Sequence, residues 1–314
     1  LEPEYIAVSE DSRTAWVALQ ENNALAVVDI PRAKVVKILP LGLKRHNKPG
    51  NELDVSDRDG GINIAKWPVF GMYMPDGIAA YSYGRKTFIV SANEGDSRDY
   101  DVYSEEARVK DLELDPDIFP NASDLQKDAN LGRLTVTTAT GDLDGDNVFE
   151  QLHVFGARSF SIWSEDGRLV YDSGNDFETI TARELPAAFN SNHEENNSFD
   201  TRSDNKGPEP EGVALGEIDG QTYAFIGLER IGGIMVYNIT NPYNPAFVDY
   251  VNNRNFDVDV EVDPVGAGDR GPEGLTFIAA KDSPNRKPLL VVTNEVSATT
   301  TIFQIRSQRT YAHR

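Results

Sequence analysis

Gly207-Pro208-Glu209-Pro210-Glu211-Gly212-Val213-Ala214-Leu215 is a phrase that the chain repeats. Arg270-Gly271-Pro272-Glu273-Gly274-Leu275-Thr276-Phe277 restates it, Met74-Pro75-Asp76-Gly77-Ile78-Ala79-Ala80 is a third copy, and Glu2-Pro3-Glu4-Tyr5-Ile6-Ala7-Val8 a fourth. Each copy leads through a short polar turn into an apolar, β-rich run that ends at an acid. Those acids are Glu21, Glu94, Glu229 and Glu295. Three copies run on into a further strand, at Ala26-Val27-Val28-Asp29-Ile30, Met235-Val236-Tyr237-Asn238-Ile239 and Ile302-Phe303-Gln304-Ile305. Proline-acid, strand, turn, strand, acid, turn, strand, recurring at roughly 60 to 70 residues, predicts an all-β fold: a β-propeller of four-stranded blades.

The bulk composition narrows what such a fold can do. With 314 residues, 39% hydrophobic and 26% charged, the chain has the profile of a folded globular domain large enough to need no staples. A formal net charge of −21 opposes nucleic acid and anionic membrane as partners and favours cations. Zero cysteines excludes disulfides, thiolate catalysis and Cys-based zinc sites. No apolar run is long enough for a membrane-spanning helix. The chain opens directly on a repeat, which reads as a mature or truncated start.

Between the repeats the sequence is less regular. Residues 44–74 open with a glycine-rich polar stretch that reads as a loop outside the core, tied down by Trp67-Pro68-Val69-Phe70; such a loop borders a binding site or decorates an edge. Ala122–Asp128 reads as a helical turn. Ser159-Phe160-Ser161-Ile162-Trp163, Ser164-Glu165-Asp166-Gly167 and Arg168-Leu169-Val170-Tyr171-Asp172 form a hairpin around Asp-Gly. Asp176–Phe189 is the one substantial helix. Counting 134–175 as a blade gives about five blades at most, so the propeller domain over 1–306 is expected to belong to a ring of about seven or eight. Missing N-terminal blades or another chain would complete it. Residues 307–314 read as a disordered or tag-like tail.

Two constellations carry chemistry. Asp142, Asp144, Asp146 and Glu150 space hard oxygens along one tight turn, with the Val148 carbonyl beside them, and suit a structural Ca²⁺. The spacing departs from the helical EF-hand, since its twelfth position falls on His153; an acidic turn holding only water is the alternative. The second constellation is the repeated acids. Equivalent positions of successive blades form rings about the axis: Glu4, Asp76, Glu211 and Glu273 in one, Glu21, Glu94, Glu229 and Glu295 in the other. Arg98, Arg230 and Arg270 lie close enough in sequence to balance them, and a second divalent metal at the propeller axis would do so better. The competing reading is that each Pro-acid merely caps a backbone turn. The histidines are scattered, and His193 reads as a surface loop residue. No nucleophile motif or nucleotide loop is present, and Ser97 stands alone.

Ser56-Asp57-Arg58-Asp59-Gly60, Trp67–Ile78, Asn93-Glu94-Gly95-Asp96-Ser97-Arg98, Phe155–Trp163 and Gly207–Gly212 together resemble the choice-of-anchor I family, and the blade order resembles YVTN-type propellers. The resemblance implies a secreted bacterial β-propeller, extracellular, periplasmic or cell-surface, whose members carry further blades ahead of Leu1. Some members are labelled alkaline-phosphatase-like and others mesenchyme-specific cell-surface glycoprotein-like, so it permits a metal-dependent phosphomonoesterase acting on a phosphorylated small molecule. The catalytic candidates for that reading are Glu94, Asp96, Arg98, Glu211, Glu229, Arg230, Glu273 and Glu295 at the axial mouth. The alternative is a non-catalytic cell-surface or adhesion propeller with structural calcium. Arginines free to face a substrate would favour the first; arginines consumed in charge balance favour the second.

Overall fold

A computed structural model describes residues 2–306; the tail expected over 307–314, with His313, lies outside the described residues. The repeats fold as blades. Blade 1 is an antiparallel meander of Pro3–Val8, Thr14–Leu19, Ala24–Asp29 and Lys34–Pro40. Blade 3 repeats that order with Pro210–Ile218, Gln221–Leu228, Ile234–Asn238 and Ala246–Val251. Blade 4 has three strands, Pro272–Ile278, Leu289–Asn294 and Thr299–Gln304. The architecture is that of a β-propeller, with no closed ring among the described residues.

Blade 2 differs in connectivity. Its strands, from the inside outwards, are Ile78–Tyr83, Lys86–Asn93, Ser159–Ser164 and Leu169–Asp172. The hairpin over 159–172 is therefore the outer half of blade 2 and no blade of its own, which brings the count to four. Trp163 pairs with Ile89 and Phe160 with Ala92, and Gly167 takes φ 83° at the turn its Asp-Gly predicted. Residues 94–158 are an insertion between the second and third strands. They fold over the 44–74 segment around a separate apolar cluster that includes Leu53, Val55, Val109, Leu131, Leu134, Phe149 and Leu152.

The 44–74 segment is thus packed, contrary to its composition. Lys44 is buried because Nζ donates to the carbonyls of Ala157 at 2.9 Å and Gly174 at 2.7 Å and pairs with Asp172 at 2.9 Å. The helix is shorter than expected, Asp176–Glu184: Leu185 leaves helical geometry and Pro186 cannot extend it. Its Phe177 packs with Phe160, whose ring lies 4.6 Å from that of Tyr237, joining blades 2 and 3.

One rule governs how blades meet. The residues two and four places after each repeated acid face the preceding blade: Ile78 and Ala80 pack on blade 1, Val213 and Leu215 on blade 2, Leu275 and Phe277 on blade 3. In blades 2 and 3 the glycine just after the acid receives the following blade; blade 1 has Tyr5 at that place. A Cβ on Gly77 would lie 2.4 Å from the Glu211 carbonyl oxygen, and one on Gly212 only 2.0 Å from that of Glu273. Gly77 also donates its N–H to the Glu211 carbonyl at 3.1 Å. The recurring glycine is therefore an inter-blade spacer, the reason a strand keeps a residue with no side chain to pack.

Gly212→Ala should cost about 1–3 kcal/mol or more by overpacking, because the obstructing atom is backbone. Gly61→Ala, where a Cβ meets nothing within 4 Å, should stay within about 0.5 kcal/mol. Urea denaturation of the two variants checks the difference.

Candidate metal centre at the axial mouth

Glu4, Glu211 and Glu273 occupy bulges at the starts of their inner strands, whereas Asp76 lies just ahead of Ile78–Tyr83, whose pairing is regular. Register shifts between Pro3 and Ile6, between Pro210 and Val213, and between Pro272 and Gly274. A bulge turns a side chain out of the pleat, here towards the neighbouring blades. The acids ending the second strands are then tied alongside. Gly95 donates to the Met74 carbonyl at 3.1 Å, Glu229 to that of Glu209 at 2.9 Å and Glu295 to that of Gly271 at 2.8 Å. Each of these blades thus brings two carboxylates to one place.

Three blade-derived carboxylates meet. Asp76, Glu94 and Glu211 each offer an oxygen within 4.8 Å of the others. Burial first, then repulsion from Glu94 and its neighbours, pushes Asp76 up to about 8 and Glu211 up to about 11. Glu94 rises to about 7 by burial, despite Lys206. Oε2 of Glu211 is buried and has no hydrogen-bond donor. Among the described residues no backbone N–H reaches the side chain of Asp76 or Glu211, so the turn-capping reading fails for both. Glu4 is exposed and Glu273 half-buried, and both add to the field at Asp76. Glu21 is separately pushed up to about 7 by burial and by Glu2 and Asp96.

Beside this cluster lies a balanced one. Glu209 is fully buried and takes three cations: Lys206 Nζ at 3.0 Å, Arg230 Nε at 3.0 Å and Arg202 Nε at 3.1 Å. Burial pushes its carboxyl up, but Lys206, Arg202 and Arg230 outweigh that and hold it well below the usual carboxylate range. Its backbone sits at φ 50°, a left-handed conformation that costs a non-glycine residue about 1–2 kcal/mol and persists where surrounding contacts over-determine it. Lys206 also pairs with Glu94 Oε1 at 2.8 Å, while Gln20 Nε2 donates to Glu94 Oε2 at 2.8 Å.

The sequence reading missed Lys206, Arg202 and Glu209, although Glu209 lies inside the repeated phrase. It also misplaced His193. That ring is buried, with Nδ1 3.0 Å from Glu229 Oε1 and Nε2 2.6 Å from Arg230 Nη1. Burial and Arg230 pull it down to about 4, so it is neutral at neutral pH, and a proton on Nδ1 satisfies both contacts. Glu229 is pushed up to about 8 by burial and Glu209. Exposed Glu295 approaches His193 and Glu229 to within 4.8 Å. Arg98 is directed elsewhere: its guanidinium reaches Glu105 and the Glu21 carbonyl, and Ser97 donates to Glu106. Arg270 reaches the carbonyls of His193 and Glu194 and, among the described residues, forms no ion pair with a carboxylate. Asp96 is exposed, 3.7 Å from Lys206.

In the insertion, Asp142, Asp144, Asp146 and Glu150 also gather, each with an oxygen within 4.8 Å of the others. Asp142 accepts from the N–H of Gly145 at 2.7 Å and of Asn147 at 2.9 Å, and Glu150 from Leu143 at 2.7 Å. Asp144 is pushed up by Asp146 first and by its other acidic neighbours. The turn is built by its own carboxylates, which keep further lone pairs turned together. His153, at the twelfth position, instead bonds Thr140 at 2.8 Å and Gln151 at 2.9 Å.

Known proteins bear on this arrangement at three levels. Gigasin-3a of Magallana gigas is 30% identical over 191 residues, 58% of this chain and 67% of that protein. The mesenchyme-specific cell surface glycoprotein of Strongylocentrotus purpuratus is 28% identical over 274 residues, 76% of this chain and 35% of that protein, so the chain spans about a third of its length. A solved hydrazine synthase from Kuenenia stuttgartiensis overlaps 97% of this chain and 65% of its own at 13% identity, with a TM-score of 0.33, too distant to support an argument. The choice-of-anchor I domain profile matches residues 1–242, and the chain belongs to that family.

Proposed function

We propose that this chain is part of an extracellular or cell-surface β-propeller that binds a divalent cation at its axial mouth through Asp76, Glu94 and Glu211. The observation carrying the proposal is the Glu211 carboxyl, whose buried Oε2 lacks any donor in a cluster with two other raised acids. Burying like charges together is costly unless protons or a cation neutralise them. The donors are all carboxylate oxygens, which suit Ca²⁺ above softer metals. The name of the sea-urchin relative supports the cell-surface setting. The exposed Asp142, Asp144, Asp146 and Glu150 turn is a second Ca²⁺ site on a different ground, the gathering of four carboxylates on one turn, and is structural in role.

A metal-dependent phosphomonoesterase is the second reading, favoured by Lys206, whose ammonium borders the carboxylate cluster at Glu94. A bound cation would supply Lewis acidity towards phosphate oxygens. Against it, Arg202, Lys206 and Arg230 all converge on Glu209, and Arg98 is held by Glu105. Cations consumed in charge balance favour the binding propeller over the hydrolase.

Calorimetric titration with Ca²⁺ should detect two sites. Glu211→Gln should weaken the axial one by more than the roughly 10–100-fold expected of an outer-shell change, and Asp144→Asn should remove only the hairpin site. With chelator present, a chromogenic phosphomonoester should not turn over, nor with Ca²⁺ or Mg²⁺; turnover abolished by Glu211→Gln would establish the esterase instead.

The pH dependence has a definite sign. Asp76, Glu94, Glu211 and Glu229 have folded pKa values raised above the ordinary carboxylate range, so between that range and about 8 the folded chain holds more protons than the unfolded one. Stability must then fall as pH rises. In chelator, the thermal midpoint should drop between about pH 6 and about pH 9, and Ca²⁺ should restore it most at the high end. Glu209, with its lowered value, acts oppositely: its contribution is lost only as pH falls below the ordinary carboxylate value of 4.5.

A further inference from the structure

One side chain joins the cluster of Asp76, Glu94 and Glu211 to its balanced neighbour. Lys206 Nζ lies 2.8 Å from Glu94 Oε1, 3.0 Å from Glu209 Oε2 and 3.7 Å from Asp96 Oδ1. Those three carboxylates differ in setting. Glu94 belongs to the cluster that is short of positive charge, Glu209 is fully buried among cations, and the Asp96 side chain is 56% exposed. The other oxygen of Glu94 accepts from Gln20 Nε2 at 2.8 Å, a buried neutral amide.

Glu209 is held whether or not the ammonium stays. Arg202 reaches its Oε1 through Nε at 3.1 Å, and Arg230 reaches Oε2 through Nε at 3.0 Å. The same place, two residues ahead of the repeated acid and just before its proline, is Met74 at φ 44° in blade 2 and Gly271 at φ 67° in blade 4. Glycine is the residue that a left-handed backbone favours. Blade 3 therefore carries a carboxylate where the backbone alone would not select one.

We propose that Lys206 is a tethered counter-ion of the empty axial cluster, displaced from Glu94 towards Asp96 when a divalent cation arrives, with Glu209 as its pivot. The inference rests on the cation-binding reading of Asp76, Glu94 and Glu211. A divalent ion seats within about 2.6 Å of its carboxylate oxygens, so a cation on Glu94 stands beside the ammonium. Like charges that close repel strongly where water is scarce. Gln20 is neutral and can keep its bond to the second oxygen. The ammonium has somewhere to go: a shift of about 1 Å brings Nζ to charge-assisted hydrogen-bond distance of Asp96 Oδ1. Lys206 thus weakens cation binding by competing for Glu94, and Asp96 strengthens it by receiving the ammonium.

Calorimetric Ca²⁺ titration of the full chain tests this in an Asp144→Asn background, which removes the hairpin site. Lys206→Met should tighten axial binding about tenfold. Asp96→Asn should weaken it about fivefold while Lys206 is present, and change it less than about twofold beside Lys206→Met. A purely electrostatic or structural role for Asp96 would give the same effect in both backgrounds. Asp96 is exposed, so Asp96→Asn should fold as the parent chain does. Lys206→Gln, which keeps a donor for Glu209, takes the place of Lys206→Met if that variant does not fold. Equal Asp96→Asn effects in the two backgrounds, or a neutral residue at 206 that binds Ca²⁺ no more tightly than the parent, would overturn the proposal and leave the axial site standing. Absence of axial binding in every variant would overturn the cation-binding reading, and the proposal with it.

Discussion

The close approach of one blade's inner strand to the next, at Gly77 against Glu211 and Gly212 against Glu273, is the constraint from which the rest follows. It brings backbones so near that no Cβ fits between them, and the residue beside each glycine is an acid. Tight blade packing and crowded negative charge are therefore one design. Apolar side chains two and four places along supply the attraction between sheets, and the glycine sets how near they come.

The crowding is resolved in two different ways. At Glu209, three cations surround one carboxylate, and its charge is held even in full burial. At Asp76, Glu94 and Glu211 there is one ammonium for three carboxylates, and the deficit shows as carboxyls that keep their protons into neutral pH. Two clusters sharing Lys206 and Glu94 thus have opposite character: one complete, one short of positive charge. The neighbouring Arg202, Lys206 and Arg230 are engaged at Glu209.

Much of this was legible in the repeat. The recurrence of Pro-acid identified the blades, the inner strands and the acids that converge, because a period in sequence becomes a rotation in space. What the repeat could not supply is whatever interrupts it. The 94–158 insertion split blade 2, so its outer hairpin looked like a unit in its own right. The 44–61 stretch looked too polar to pack, since composition does not reveal that Lys44 will find two carbonyls and a carboxylate inside. Lys206, Arg202 and His193 arrive on the polar stretch before blade 3; only their proximity to Glu209 and Glu229 in space gives them a role. Arg98 and Arg230 were near the acids in sequence, but guanidinium direction is a tertiary property: Arg98 turns to Glu105, whereas Arg230 pairs with Glu209 and with the repeated acid Glu229.

The central claim is that the blade junctions assemble an oxygen-only cation site at the axis. An anomalous difference map from crystals grown with Mn²⁺ measures it directly. The account predicts a peak bounded by Asp76, Glu94 and Glu211, with Glu211 Oε2 among the nearest atoms. A map with no peak there, and Glu211 turned onto a protein donor, would contradict it.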